Sequence, residues 1–171
     1  MTGSGTSQGE PVSVAGAAEL GDHAFLRGMP EACIAVLARA CRGTAVRAGH
    51  RFFEEGGTAD RFWLIVSGHV ALDVSSPGRS RLVVETLGKG DPLGLSWLVP
   101  PYEWQFGATA VQDTTAFELN APAVRAACEK DPGLGYELLR RVMPAALSRL
   151  QAARIRMLDL YAAAGEAREG P

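Results

Sequence analysis

The spacing of apolar residues divides this chain into three parts. Between residues 22 and 40 apolar side chains recur every three or four positions, which is the period of a helix, and two short helices are predicted there. From residue 43 to residue 119 the period is two, as in residues 62–66, and turn-forming clusters such as residues 75–78 separate the runs. This middle part predicts seven or eight short strands in a jelly roll or small barrel.

The last third of the chain returns to a helical period. Asn120 is a good N-cap for a short helix, and after Pro132 and Gly133 a longer helix is predicted over residues 135–164. We expect this helix to kink or start afresh at Pro144, because the proline ring clashes with the carbonyl four residues earlier. Apolar positions along it alternate in steps of four and three, the spacing of a coiled-coil seam: Leu139, Met143, Ala146, Leu150, Ala153, Met157 and Leu160.

The length of this helix predicts a dimer. At roughly 45 Å it is longer than a helix that only covers a small barrel. Part of its apolar stripe therefore needs another partner, and a second copy of the chain is the simplest one. A homodimer through this seam is predicted. The alternative is that the stripe packs only on its own barrel.

Length and composition are those of one globular domain. The chain has 171 residues, of which 47% are hydrophobic and 21% charged, and a chain of this size buries enough surface to fold without disulfides. The predicted limits are a disordered leader at 1–21, the domain at 22–164 and a disordered tail at 165–171. The leader contains no signal peptide and no membrane span, and the three cysteines form no disulfide framework, so we expect a cytoplasmic protein that does not bind membranes.

Charge and reactive residues exclude several functions. Seventeen basic and nineteen acidic residues give a net charge of −2, which argues against a protein that coats a polyanion. Cys33, Cys41 and Cys128 lack the spacing of disulfide, zinc or iron–sulfur motifs, and the histidines lack that of a metal site. No Gly-x-Ser-x-Gly nucleophile elbow is present. We predict no catalytic residues, no metal and no enzyme activity.

Three segments resemble a known sensor family. Residues 48–70, AGHRFFEEGGTADRFWLIVSGHV, are similar to the glycine-punctuated hallmark of cyclic nucleotide-binding domains, the sensor modules of the catabolite-activator and fumarate/nitrate-regulator superfamily. Residues 90–94, GDPLG, resemble the entry to that family's phosphate-binding cassette, and residues 110–114 resemble the strand that leaves it. The resemblance covers about residues 25–161. It implies a mainly β fold with flanking helices: an eight-stranded jelly roll, a short helix and a long dimerisation helix.

The family's two polar anchors are absent from the matching positions. In that family an arginine and a helix N-terminus bind the cyclic phosphate, and a glutamate accepts the ribose 2′-hydroxyl. Here the glutamate position falls on Leu95, and the arginine position falls on or next to Trp104 and Gln105. The family implies a cyclic nucleotide as ligand, but a buried phosphate without a cation loses several kcal/mol of solvation. We therefore do not expect tight binding of cyclic AMP, and no cofactor is assigned.

An apolar loop replaces these anchors. Residues 96–106 contain four aromatic residues and two prolines. One interpretation is a cavity remodelled for a planar or apolar small molecule. The other is that these side chains fill the cavity. The candidate ligand-binding residues are Gly94, Leu95, Ser96, Trp97, Tyr102, Trp104 and Gln105.

These observations predict a cytoplasmic sensor or adaptor that acts as a homodimer on a protein partner. Ten residues follow Tyr161, too few for a helix-turn-helix, so specific DNA binding by this chain alone is not expected. The alternatives are a truncated transcription regulator of the same superfamily and a ligand-free dimeric scaffold. The basic residues of the long helix are interpreted as the solvated flank of the seam: Arg140, Arg141, Arg149, Arg154 and Arg156.

Overall fold

A computed structural model describes residues 17–75 and 81–166 of the chain. Helices α1 (Ala17–Gly21) and α2 (Glu31–Arg39) precede the strands, with a 3₁₀ turn at Ala24–Leu26 between them. Helices α3 (Ala121–Lys130) and α4 (Pro132–Glu166) follow the strands. The strands are, in chain order, β1 (Cys41–Val46), β2 (Arg51–Phe53), β3 (Arg61–Ser67), β4 (Val70–Val74), β5 (Leu82–Leu87), β6 (Pro92–Leu93), β7 (Gly107–Ala110) and β8 (Thr114–Asn120).

The strands form two antiparallel sheets of four. One has the order β1-β8-β3-β6 and the other the order β2-β7-β4-β5. Side chains of both sheets enter one buried core, which includes Leu64 of β3 and Leu72 of β4. The predicted jelly roll with flanking helices is confirmed.

Helix α3 begins where its capping signal predicts. The Asn120 side-chain oxygen accepts a hydrogen bond from the backbone N–H of Ala123 at 2.9 Å, and a proline occupies the first turn. Val124 of α3 is 2% exposed and belongs to the barrel core. The helix is therefore fixed to the barrel beside the loop that follows β6.

Helix α4 is one continuous helix through Pro144. Of the two outcomes expected at this proline, a fresh start is therefore wrong. Leu134 and Leu138 are fully buried and hold the first part of the helix on the molecule. Helical residues continue on both sides of Pro144, so the loss of one backbone hydrogen bond does not end the helix.

The described ends of the chain differ from the predicted limits of order. Helix α1 lies inside the predicted disordered leader, because Leu20 is fully buried in the barrel core. Helix α4 extends to Glu166, inside the predicted disordered tail. The remaining parts of the leader and tail, residues 1–16 and 167–171, lie outside the described residues, as does most of the predicted turn after β4.

Candidate functional site

The candidate cassette starts with a turn at Gly94. This residue has φ +83°, a left-handed conformation that glycine adopts without steric cost, and the 3₁₀ helix Leu95–Leu98 follows it. A Cβ atom at this position would lie 2.7 Å from Cζ3 of Trp104. Gly94 therefore permits both the turn and the close packing of the Trp104 indole.

Trp97 and Tyr102 face the core and helix α3. Trp97 is 1% exposed, and its ring stacks on Phe62 with 4.3 Å between the ring centres. The Trp97 carbonyl accepts a hydrogen bond from Arg125 of α3 at 2.7 Å. The same guanidinium lies 4.2 Å from the centre of the Tyr102 ring, a cation–π contact. Sequence reasoning missed Arg125, because a basic residue in a short helix carries no signal of its partner.

Trp104 lies on the opposite side of the loop. It is 4% exposed, and its ring stacks on Phe53 with 4.0 Å between the ring centres. Its backbone N–H donates to the Gly57 carbonyl, and its carbonyl accepts from the Gly56 N–H, each at 2.8 Å. The indole is therefore held by both its ring and its backbone.

A cavity of about 430 Å³ lies between this loop, strands β4 and β5, and helix α4. Its volume falls within the range of small-molecule sites, roughly 300–1,000 Å³. Trp104 forms part of its wall, and the cavity is open. The apolar lining consists of Phe53, Leu72, Val84, Leu95, Trp104, Phe106, Ala146, Leu150 and Ala153, together with Gly94.

The predicted binding residues separate into two groups in the structure. Gly94, Leu95, Ser96, Trp104 and Gln105 line the cavity, and they include the positions that the resemblance assigns to the family's glutamate and arginine. The side chains of Trp97 and Tyr102 pack elsewhere, as described above. The structure therefore places five of the seven predicted binding residues around the cavity.

Two charged side chains missed by sequence reasoning also line the cavity, Glu85 of β5 and Arg149 of α4. Arg149 donates a hydrogen bond to the carbonyl of Pro92, and its Nε lies 3.5 Å from a carboxylate oxygen of Glu85. Burial lowers the pKa of Arg149, because desolvation disfavours the charged form. No local spacing indicates a contact between a strand and a helix that are more than sixty positions apart.

Part of the predicted dimer seam also borders the cavity. Ala146, Leu150 and Ala153 belong to both. Leu150 is 63% exposed and Met157 is 55% exposed in the single chain. The side chain of Leu160 lies outside the described part of the chain. An uncovered apolar stripe therefore runs along α4 past the mouth of the cavity.

The face of α4 that packs on its own chain is offset from this seam. It consists of Leu134, Leu138 and Val142, all 6% exposed or less. The seam residues Leu139 and Met143, each one position later, are 46% and 47% exposed. In the single chain the helix thus has two apolar faces, one covered and one free.

Of the arginines assigned to a solvated flank whose side chains the structure describes, three have partners in their own chain, whereas the side chain of Arg156 lies outside the described part. Arg140 and Arg141 pair with Glu137 at 3.1 Å and 2.5 Å. Arg149 pairs with Glu85, as described above. These contacts offset part of the positive charge along α4.

The cysteines are buried or half-buried and free. Burial raises the pKa of all three thiols, that of Cys41 to about 11, so the unreactive protonated form dominates at neutral pH. Within residues 17–75 and 81–166, no group of three or more His, Cys, Asp or Glu side chains is placed to hold a metal ion. Nor is any helix in those ranges long and apolar enough to cross a membrane.

A family model matches the part of the chain that contains the cassette. The model of the cyclic nucleotide-binding domain matches residues 44–131, about half of the chain. The chain belongs to this family. The matched segment includes the loop with Trp97 and Trp104, whereas helix α4 and Arg149 lie beyond it.

Known relatives of this cyclic nucleotide-binding domain include a regulator. The CRP-like cAMP-activated global transcriptional regulator of Mycobacterium tuberculosis is 25% identical over 116 residues, which cover 68% of this chain and 52% of the relative. The chain spans about half the length of the curated relatives it matches. The family is regulatory.

Solved structures share the fold. A candidate cyclic nucleotide-binding protein from Geobacter metallireducens GS-15 has a TM-score of 0.72 at 24% identity, covering 80% of this chain and 98% of that chain. A cyclic nucleotide-binding domain from Methylobacillus flagellatus KT has a TM-score of 0.72 at 18% identity, covering 84% and 83%. At these identities the likeness concerns architecture alone.

Proposed function

We propose that this domain senses a planar or apolar small molecule in its cassette cavity instead of binding cyclic AMP. The observation that carries the proposal is the open cavity of about 430 Å³, which has Leu95 and Trp104 in its lining. Burial of apolar ligand surface there is favourable by about 25 cal/mol per Å². At the positions where the family has its glutamate and arginine anchors, the cavity is lined by Leu95, Trp104 and Gln105, so neither family anchor is available to cyclic AMP.

The position of the cavity supports a route from the ligand to the rest of the molecule. One wall belongs to α4, through Ala146 and Leu150. On the other side of the loop, Arg125 hydrogen-bonds the cassette backbone and so connects it to α3. A ligand that favours one arrangement of the loop would therefore shift the two C-terminal helices relative to the barrel.

We further infer that the domain acts as a cytoplasmic, non-catalytic homodimer that passes its signal to a protein partner. Exposed apolar residues along α4 support the dimer, because such a stripe at seam spacing is covered in most proteins. A dimer through this stripe would also cover the mouth of the cavity, since Leu150 borders both. The exposed large seam residues are Leu139, Met143, Leu150 and Met157, while Tyr136, Leu147 and Ile155 are exposed at other positions of the helix.

Ligand binding can be tested on the full chain with the neutral fluorophore N-phenyl-1-naphthylamine. We expect saturable binding, and we expect cyclic AMP neither to compete for the site nor to give heat in calorimetry. Ala146→Trp, which fills the cavity from α4, should abolish probe binding. Ser148→Trp places the same indole at an exposed position of α4 outside the cavity lining and should leave binding intact.

Two results would contradict the proposed function. Competition by cyclic AMP in the micromolar range would show that this domain binds the family's usual ligand. If the probe does not bind, or binds equally well to Ala146→Trp, the ligand-free scaffold becomes the better account.

The dimer has a separate test. Leu139→Glu combined with Met157→Glu places charges on the seam without touching the cavity lining, and light scattering should report half the wild-type mass. Gln151→Glu, at an exposed position outside the seam, should keep the dimer. An unchanged mass for the double variant would show that α4 is not the interface.

A further inference from the structure

The cavity has one charged wall, and the rest of its lining is uncharged and mostly apolar. Arg149 enters it from α4, and Glu85 enters it from β5. Their side chains are 20% and 22% exposed, and the closest approach between the two charged groups is 3.5 Å. The pair is therefore partly removed from water and loosely formed.

Most N–H donors of the Arg149 guanidinium have no hydrogen-bond partner among the described residues. A guanidinium carries five N–H donors in a planar fork. Among the described residues, the hydrogen bond that Arg149 makes is the one to the carbonyl of Pro92. A neutral carbonyl does not balance its charge, and Glu85 does so only at ion-pair distance. An anion that places two oxygens directly on the fork would pair with it more closely than Glu85 does at 3.5 Å.

We propose that the ligand of this cavity is an apolar molecule with a single carboxylate-like group, which displaces Glu85 and pairs with Arg149. The inference rests on the proposed function, because it requires that the cavity holds a ligand. The apolar body would contact the Trp104 and Leu95 side of the cavity, and the anionic group would lie against α4.

The charge balance favours one negative charge. Arg149 and Glu85 together are neutral, so a monoanion that releases Glu85 towards solvent leaves Arg149 with one full counter-ion. A dianion would leave an uncompensated charge within the apolar lining. The lowered pKa of Arg149 agrees with a cation that is short of solvation.

A purely structural role of the same pair makes a different prediction. If Arg149 and Glu85 only fasten α4 to the barrel, removal of either partner loosens the helix and weakens binding of every ligand. If Arg149 is the anion site and Glu85 its competitor, the two substitutions have opposite effects on anion binding. Glu85→Gln and Arg149→Gln are therefore the informative variants.

The experiment compares two probes that share one skeleton, neutral N-phenyl-1-naphthylamine and its sulfonate analogue 8-anilino-1-naphthalenesulfonate, by fluorescence titration of the full chain. The readout is the ratio of their affinities in each variant. In the wild type we expect the anion to bind roughly tenfold more tightly, the scale of a charge-assisted hydrogen bond. Arg149→Gln should reduce the ratio to about one, and Glu85→Gln should raise it several-fold.

The outcomes separate this inference from the proposed function. Binding of the neutral probe with no preference for the anion, or a ratio that falls in Glu85→Gln as it does in Arg149→Gln, would overturn the anion site and leave the cavity as a ligand site. Failure of both probes to bind would overturn the proposed function itself. If Arg149→Gln does not fold, Arg149→Lys keeps the charge without the fork, and we expect an intermediate ratio.

Discussion

Trp97 and Trp104 belong to the same loop and are buried to almost the same degree, yet they have different neighbours. Trp97 is 1% exposed and stacks on Phe62 of the core. Trp104 is 4% exposed, stacks on Phe53 and lines the cavity. The fraction of exposed surface therefore does not distinguish a core residue from a binding residue. Only the empty space beside one ring does.

Local backbone geometry produces this separation. The left-handed turn at Gly94 starts the 3₁₀ helix that carries Trp97 inwards. The Trp104 backbone is instead paired with Gly56 and Gly57 in the loop after β2. The two indoles therefore face different parts of the molecule: Trp97 packs in the closed core, and Trp104 lines the open cavity.

The largest expected difference between the two indoles is in stability. Trp97→Ala should lower the free energy of unfolding by about 3–5 kcal/mol, because it leaves a void in a closed core. Trp104→Ala should cost less, since part of that ring already borders empty space. Urea denaturation measures both. Equal losses, or a larger loss for Trp104→Ala, would break the distinction between core and wall.

A smaller effect is expected at the contact between Gly94 and Trp104. Gly94→Ala should destabilise the domain both through its positive φ and through a Cβ atom 2.7 Å from the Trp104 ring. Gly56→Ala is a matched control, because Gly56 has φ +78° with nothing within 4 Å of its Cβ position. The difference between the two variants should be about 1–3 kcal/mol, the cost of overpacking. No difference in urea midpoints would mean that the contact with Trp104 is easily relieved.

The smallest expected effect concerns ligand affinity. Trp104→Phe removes part of the cavity wall and should weaken binding of N-phenyl-1-naphthylamine by a few-fold, about 1 kcal/mol or less. Trp97→Phe makes the same chemical change away from the cavity and should leave the affinity unchanged. Fluorescence titration of both variants gives the comparison. If Trp97→Phe weakens binding more than Trp104→Phe does, the ligand binds on the Trp97 side of the loop and not in the cavity.

Features encoded by neighbouring residues could be predicted from the sequence. The period of two in the middle of the chain predicted the strands, and Asn120 predicted the start of α3. The short motif at residues 90–94 located the cassette entry through its family resemblance, and the structure has the left-handed turn at Gly94 there. These signals need no knowledge of distant contacts.

Features that depend on distant contacts could not be predicted in the same way. The spacing of aromatic residues did not indicate that Trp97 turns inwards, because its direction depends on Phe62 of β3. Arg149 was interpreted as part of a solvated flank, and only the packing of α4 against β5 brings it to Glu85. Leu20 likewise orders α1 through the barrel core rather than through helix propensity.

The most direct test of the account is a two-dimensional ¹H–¹⁵N NMR titration of the tryptophan side chains with N-phenyl-1-naphthylamine, with each indole N–H signal assigned from the Trp→Phe variants. We predict a saturable shift of the Trp104 signal and an almost stationary Trp97 signal, because only Trp104 lies on the cavity wall. A Trp104 signal that stays in place at saturating probe, or a shift of equal size at Trp97, would contradict the claim that this cavity is the ligand site.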